Sequence, residues 1–160
     1  MQFAAPPFRI RCASLSDVGR VRSRNEDRCT CDPALRLLAV ADGMGGHAAG
    51  DVASTLAIES LTSALQKSPR RNQLLHALGV SADLEVDLTT HTLQAGDRYL
   101  LCSDGLNGML DEVHIAMLLG AAGPPEERAR WLVDAANDNG GRDNVTVAIA
   151  DVSNADLAIA

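Results

Sequence analysis

Residues 35–50 read Leu-Arg-Leu-Leu-Ala-Val-Ala-Asp-Gly-Met-Gly-Gly-His-Ala-Ala-Gly. The largely apolar run Leu35 to Val40 predicts a buried strand, and Asp42 places a carboxylate just past its end. The glycines that follow let the backbone turn tightly and come close to a ligand. Alone, the stretch reads as a sharp strand-to-helix turn. It acquires chemical meaning because acids recur in similar settings. Asn25-Glu26-Asp27 precedes a short strand, Ser103-Asp104-Gly105 follows the run Tyr99 to Cys102, and Arg142-Asp143-Asn144 precedes Val145 to Ile149. Acids at strand ends can converge on one rim of a sheet, and such a rim needs cations to hold it together.

Working outward, Phe8, Ile10, Cys12 and Ser14 alternate with Arg9, Arg11 and Ala13, the pattern of a half-exposed first strand. Asp17 to Arg20 reads as a turn and Arg28 to Cys31 as a second strand. A helix is predicted from about Ala48 to Gln66, with Val52, Leu56, Ala57, Leu61, Ala64 and Leu65 on one face. Lys67 to Arg71 ends it. Asn72 to Leu78 predicts a short helical turn closed by Gly79. Leu84, Val86 and Leu88 alternate with acids and pair as an antiparallel hairpin with Arg98 to Cys102, through the turn at Ala95-Gly96-Asp97. Glu112 to Leu119 and Pro125 to Ala136 predict helices, Asn137 to Gly141 a loop, and Asn144 to Val152 the last strand. This order fits an α+β protein with antiparallel sheets better than alternating βαβ units.

The 160 residues fit a single domain, 1–160. Aromatic residues make up 2% of the chain, so its core must rest on Leu, Val, Ile and Ala. A formal charge of −7 argues against nucleic acid as a partner and suits a collector of divalent cations. No basic segment followed by a long apolar run marks the start of the chain, and no window approaches a membrane-spanning length, so no membrane partner is expected. Cys12, Cys29, Cys31 and Cys102 read as small hydrophobes in strands, with Cys29 and Cys31 facing the same side, and not as a zinc site. A reducing, cytoplasmic location is the corresponding expectation.

Asp42 and Asp104 lie past strand ends and Asp143 lies before a strand; in an antiparallel sheet these positions are neighbours. Three carboxylates that close together need a counter-charge, and Mg²⁺ or Mn²⁺ with oxygen ligands would supply it. Two such ions can activate a water and clamp a phosphoryl group. Arg22, four residues before Glu26, is the candidate for a bidentate phosphate contact, in preference to Arg20, Arg24 and Arg28. Other ways of handling a phosphoryl group fit poorly: no cysteine has an Arg six positions later, no Asp-x-Asp follows a strand, and no Lys-Ser or Lys-Thr follows the glycines after Asp42.

Four groups of residues now stand in order: Ser16 to Asp27, Asp42 to His47, Gly96 to Leu106, and Arg142 to Thr146. With Asn72 to Gly79 they make the chain resemble the PPM-type metal-dependent protein serine/threonine phosphatases in their bacterial form. The resemblance implies an antiparallel β-sandwich flanked by helices and a phosphoserine/phosphothreonine hydrolase with two Mn²⁺ or Mg²⁺ ions. It implies that Asp42 bridges the ions, that the Gly43 carbonyl ligates one and Asp104 and Asp143 the other, and that Glu26 and Asp27 hold metal-bound waters. Arg22 would bind the substrate phosphate. Met44 stands where eukaryotic relatives carry a proton-donating His, so no general acid is assigned, and His47 reads as a helix-start residue.

The resemblance also has a gap. Family members carry a further helix and several strands between the segments that here meet at Lys67 and Asn72, including Met-Gly-Thr-Thr and Gly-Asp-Ser-Arg segments. Gly96-Asp97-Arg98 is not the latter; it belongs to the strand leading to Asp104. The absent block would supply inner strands of the sandwich and an aspartate linked to a third metal site. The competing reading is therefore a catalytically weak or inactive relative serving as a regulatory or binding module, and a third is a deletion product with no selected function. The expected partners are phosphorylated proteins, opposite a serine/threonine kinase in signal transduction, with self-association through exposed strand edges.

Overall fold

The computed structural model describes residues 8–43, 48–67 and 92–155. The chain order is β1 (Phe8–Asp17), β2 (Arg28–Asp32), β3 (Leu37–Ala41), α1 (Ala48–Lys67), β4 (Arg98–Cys102), α2 (Asp104–Asn107), α3 (Glu112–Gly120), α4 (Pro125–Asp138) and β5 (Val145–Asn154). Among the described residues the strands form two antiparallel sheets, β1-β5-β4 and β2-β3. This is the expected α+β sandwich. The predicted turn Asn72–Gly79, the strand Leu84–Leu88 with its hairpin, and Met44 and His47 lie outside the described residues.

Pairing in the larger sheet sets which side chains share a face. Leu15 lies opposite Val147 and Ala13 opposite Ile149, while Leu100 and Cys102 face Ile149 and Val147 from the other side. That face packs on α4, whose buried Ala129, Leu132, Val133 and Ala136 recur at helical spacing. Leu132, Val147 and Ile149 have no exposed surface, and each such side chain contributes about 1.5–3 kcal/mol by its burial. Arg128, also fully buried, pairs with Asp151 on β5 and donates to the Leu119 carbonyl at 3.2 Å, tying the end of α3 to the sheet. Ile10, Cys12, Tyr99, Leu101, Ala150 and Val152 form the opposite face, which looks toward β2-β3 across a cavity of about 320 Å³.

Several predicted boundaries move. β3 begins at Leu37, not Leu35, because Asp32 Oδ1 accepts the Ala34 and Leu35 amides at 2.8 and 3.0 Å and Arg36 takes a left-handed φ of 53°. The strand is also less buried than its composition suggests: Leu37 and Ala39 are inside, while Leu38 and Val40 are half-buried. α4 runs on to Asp138, so the predicted loop at 137–141 starts two residues late. The four residues after Ser103 form a one-turn helix that the sequence pattern does not announce.

The predicted apolar face of α1 is the larger correction. Leu61 and Leu65 pack inward on Leu37 and Ala39 with Ile58, but Val52 and Leu56 are 54% and 53% exposed, and Ala64 is exposed too. The helix is rotated by its first turns, where Ser54 is buried and donates its hydroxyl to the Glu26 carbonyl at 2.5 Å. Asp51 is fixed in the same region by an ion pair with Arg28. Polar anchoring at the N-terminal end, and not the apolar stripe, decides which side of α1 faces the sheet.

Candidate metal centre

Two close backbone approaches build the site. A Cβ on Gly105 would overlap the Asn144 carbonyl, lying 2.9 Å from its carbon. Only glycine lets the start of α2 press on the start of β5, which puts Asp104 near Asp143. A Cβ on Gly43 would lie 2.6 Å from the Glu26 carbonyl oxygen and 2.7 Å from the Gly50 carbonyl carbon. Hence the end of β3, the first turn of α1 and the residues before β2 all meet at Gly43, which brings Asp42 to the same rim from the second sheet.

The carboxylates feel one another there. Asp42 keeps solvent access, yet the protein around it removes enough water, and the charges of Asp27, Asp104 and Asp143 add enough repulsion, to push its pKa up to about 6. A hydrogen bond with the Asp104 carboxyl acts in the same direction. Asp42 with three further acids close to it makes an all-oxygen donor set suited to a hard divalent cation. Among the described residues no three His, Cys, Asp or Glu side chains are gathered tightly enough to enclose an ion as they stand. The donor chemistry fits Mg²⁺ or Mn²⁺, and the carboxylates would draw together round it.

Arg22 enters the site directly: its Nη2 donates to Asp143 Oδ2 at 2.7 Å. The pair is open to solvent, with side chains 52% and 37% exposed, so it contributes at most about 1 kcal/mol and can be exchanged. Arg20 stays near Asp17 at 3.9 Å, Arg28 is committed to Asp51 and to the Asn25 and Asp27 carbonyls, and Arg24 is exposed. Among the described residues, Arg22 is the arginine that bonds the carboxylate of one of the converging acids.

No protein-family model matches the chain. It is 30% identical over 237 aligned positions to the serine/threonine protein phosphatase PstP of Mycobacterium tuberculosis, covering 89% of this chain and 45% of PstP. It is 41% identical over 83 residues to the serine/threonine phosphatase stp of Listeria monocytogenes, covering 52% of this chain and 33% of that protein. Among solved structures, the PstP catalytic domain in complex with two manganese ions superposes with a TM-score of 0.78 at 28% identity, covering 92% of this chain and 100% of that one. The chain belongs to the PPM-type metal-dependent protein serine/threonine phosphatase family.

As a PPM-type chain it is short: it spans less than half the length of PstP. An alignment of 237 positions exceeds its 160 residues, so PstP carries sequence within the matched span that is missing here, in keeping with the absent central block. PppA, a key regulatory component of T6SS in Pseudomonas aeruginosa, is another structural neighbour, with a TM-score of 0.77 at 26% identity over 89% of this chain and 97% of PppA.

The PPM-type site also rests on neutral residues that sequence reasoning passed over. Asn144 accepts the Glu26 amide at 2.8 Å and donates to the Val18 and Arg24 carbonyls at 3.0 and 2.8 Å, stitching the loop that carries Arg22 to the start of β5. Glu26 is held by its backbone on both sides, through Asn144 and Ser54, and its carboxylate packs against Gly50 in the first turn of α1. Asp27 is 3% exposed, and its Oδ2 accepts the Ser103 hydroxyl at 2.6 Å. The available signal was adjacency, since Ser103 and Asn144 each neighbour a singled-out aspartate; their burial is what gives them a role.

Proposed function

We propose that this chain is a metal-dependent protein serine/threonine phosphatase built as one shortened domain, with Mn²⁺ or Mg²⁺ as its cofactor. The observation that supports it most is the approach of Asp27, Asp104 and Asp143 to Asp42 from two different sheets. Asp42, which these acids approach, would be shared by two ions, with the Gly43 carbonyl and the Asp104 and Asp143 carboxylates as their further ligands. Divalent ions bound there would supply Lewis acidity, making water nucleophilic near neutral pH and offsetting the charge of the phosphoryl group. Asp27 and Glu26 would orient waters around the ions. Arg22 would leave its exposed partner Asp143 and present its fork to the substrate phosphate. Met44 offers no proton for the leaving group, so that proton would come from solvent. Phosphorylated proteins, set against a serine/threonine kinase, are the corresponding substrates, and the four free cysteines support a reducing, cytoplasmic setting.

The sequence missing relative to PstP and the apolar cavity between the sheets favour a second reading, a phosphatase-like module with weak or no turnover. Phosphate release from a phosphothreonine peptide separates the two. The first reading expects release with Mn²⁺, none in excess chelator, and none from Asp42→Asn. Mn²⁺ binding without release would support the module, and release that persists in excess chelator would refute metal dependence.

A further inference from the structure

Asp27 is 3% exposed, and burying a carboxyl group is costly unless a donor compensates it. Arg28 beside it donates to the Asp27 backbone carbonyl at 2.7 Å and sends its other end to Asp51, so it is not the compensating group. Ser103 is. Its hydroxyl donates to Asp27 Oδ2 at 2.6 Å, the short length of a charge-assisted bond, and its alternative acceptor, the Asn144 carbonyl, lies at 3.4 Å. The same oxygen accepts the Thr146 amide at 3.1 Å, while the Ser103 amide donates to the Thr146 carbonyl at 3.0 Å. Ser103 is thus held to β5 by two backbone bonds, with its single proton aimed at Asp27.

The bond is one link of a closed circuit. Thr146 Oγ1 shares a hydrogen bond with Ser16 Oγ at 2.7 Å, Ser16 Oγ accepts from Asn25 Nδ2 at 2.7 Å, and Asn25 Oδ1 accepts the Asp27 amide at 3.0 Å. The circuit runs from β1 through the residues before β2 to the end of β4 and the start of β5. Ser103 is the link that ends on a carboxylate, and it joins the two sheets beneath the converging acids.

We infer that Ser103 is a positioning residue of the metal centre: its hydroxyl locks the buried Asp27 carboxylate toward Asp42 and thereby sets metal affinity, without touching substrate. This rests on the phosphatase reading only in taking the acids as a divalent-cation site. Groups that orient a metal site from behind typically change affinity or activity 10–100-fold when removed.

The test is calorimetric titration of Mn²⁺ into the full chain, for wild type, Ser103→Ala, Ser103→Thr, Asp27→Asn and the double variant Ser103→Ala/Asp27→Asn. Ser103→Ala and Asp27→Asn should each weaken Mn²⁺ binding about tenfold or more. The double variant should lose no more than Asp27→Asn alone, because the serine acts through the aspartate. Ser103→Thr, which keeps the hydroxyl, should stay near wild type, and at saturating Mn²⁺ Ser103→Ala should keep its KM for a phosphopeptide. If Ser103→Ala does not fold, the comparison of Asp27→Asn with the double variant still decides, since the neutral amide no longer leaves a buried charge. Unchanged Mn²⁺ affinity in Ser103→Ala, or a further tenfold loss in the double variant, overturns the inference while leaving the phosphatase reading intact. A wild-type chain that binds no Mn²⁺ overturns both.

Discussion

Gly105→Ala tests the geometry of the site at its tightest point. The added methyl would sit well inside 3.0 Å of the Asn144 carbonyl, which is backbone and has no rotamer to escape into. To reach ordinary contact, the start of α2 and the start of β5 must separate by about 1 Å or more, and core overpacking of this kind costs about 1–3 kcal/mol. For a domain of this size the melting temperature should fall by about 3–10 °C. The same displacement moves Asp104 away from Asp143, and an error of about 1 Å in a reacting constellation can cost about a hundredfold in rate. Thermal unfolding and Mn²⁺ titration would follow the two effects. Gly120→Ala is the control: a Cβ there meets nothing within 4 Å, at the end of a helix, so stability should hold or rise by a few tenths of a kcal/mol. A Gly105→Ala chain with wild-type melting and Mn²⁺ affinity would refute the close approach of α2 to β5.

Arg22→Ala should lower kcat/KM for a phosphopeptide at least tenfold while changing stability by less than about 1 kcal/mol, because its partner Asp143 is solvent-exposed; Arg20→Ala and Arg24→Ala should do far less. Sedimentation should show concentration-dependent self-association through the exposed Val52 and Leu56 of α1, and Val52→Lys/Leu56→Lys should return the chain to monomer. Burial, followed by a hydrogen bond and charge repulsion from Cys31, pushes the Cys12 thiol up to about 12, so its alkylation at pH 8 should run orders of magnitude slower than that of a free thiol and quicken as pH rises through 10 to 12. Mass mapping after iodoacetamide labelling reads this directly.

Much of the architecture was legible in short runs of strand-forming residues bounded by turn formers. β1 falls where its period-two pattern places it, β2, β4 and β5 where such runs do, and Asp27, Asp104 and Asp143 lie near enough to Asp42 to push its pKa up. The orientation of α1 was not legible. Its apolar residues are spread widely enough to define more than one face, and the deciding contacts are Ser54 with the Glu26 carbonyl and Arg28 with Asp51, long-range polar contacts that no local periodicity encodes. Arg28 and Asp51 stand 23 residues apart in the chain, and only the fold makes them a pair. Similarly, Ser103 and Asn144 look like turn formers until burial shows each spending its polar atoms on a specific partner. Arg22 was singled out by its spacing to Glu26 and by the family resemblance; the structure sets its guanidinium on the Asp143 carboxylate.

The most direct measurement is anomalous diffraction at the manganese edge from crystals of the chain grown with Mn²⁺. Two peaks should lie at the rim with Asp42 between them, the Gly43 carbonyl on one and Asp104 and Asp143 on the other, and Arg22 released from Asp143. Crystals with no manganese at this rim, or with manganese bound elsewhere while Arg22 still bonds Asp143, would contradict the metal centre on which the proposed function stands.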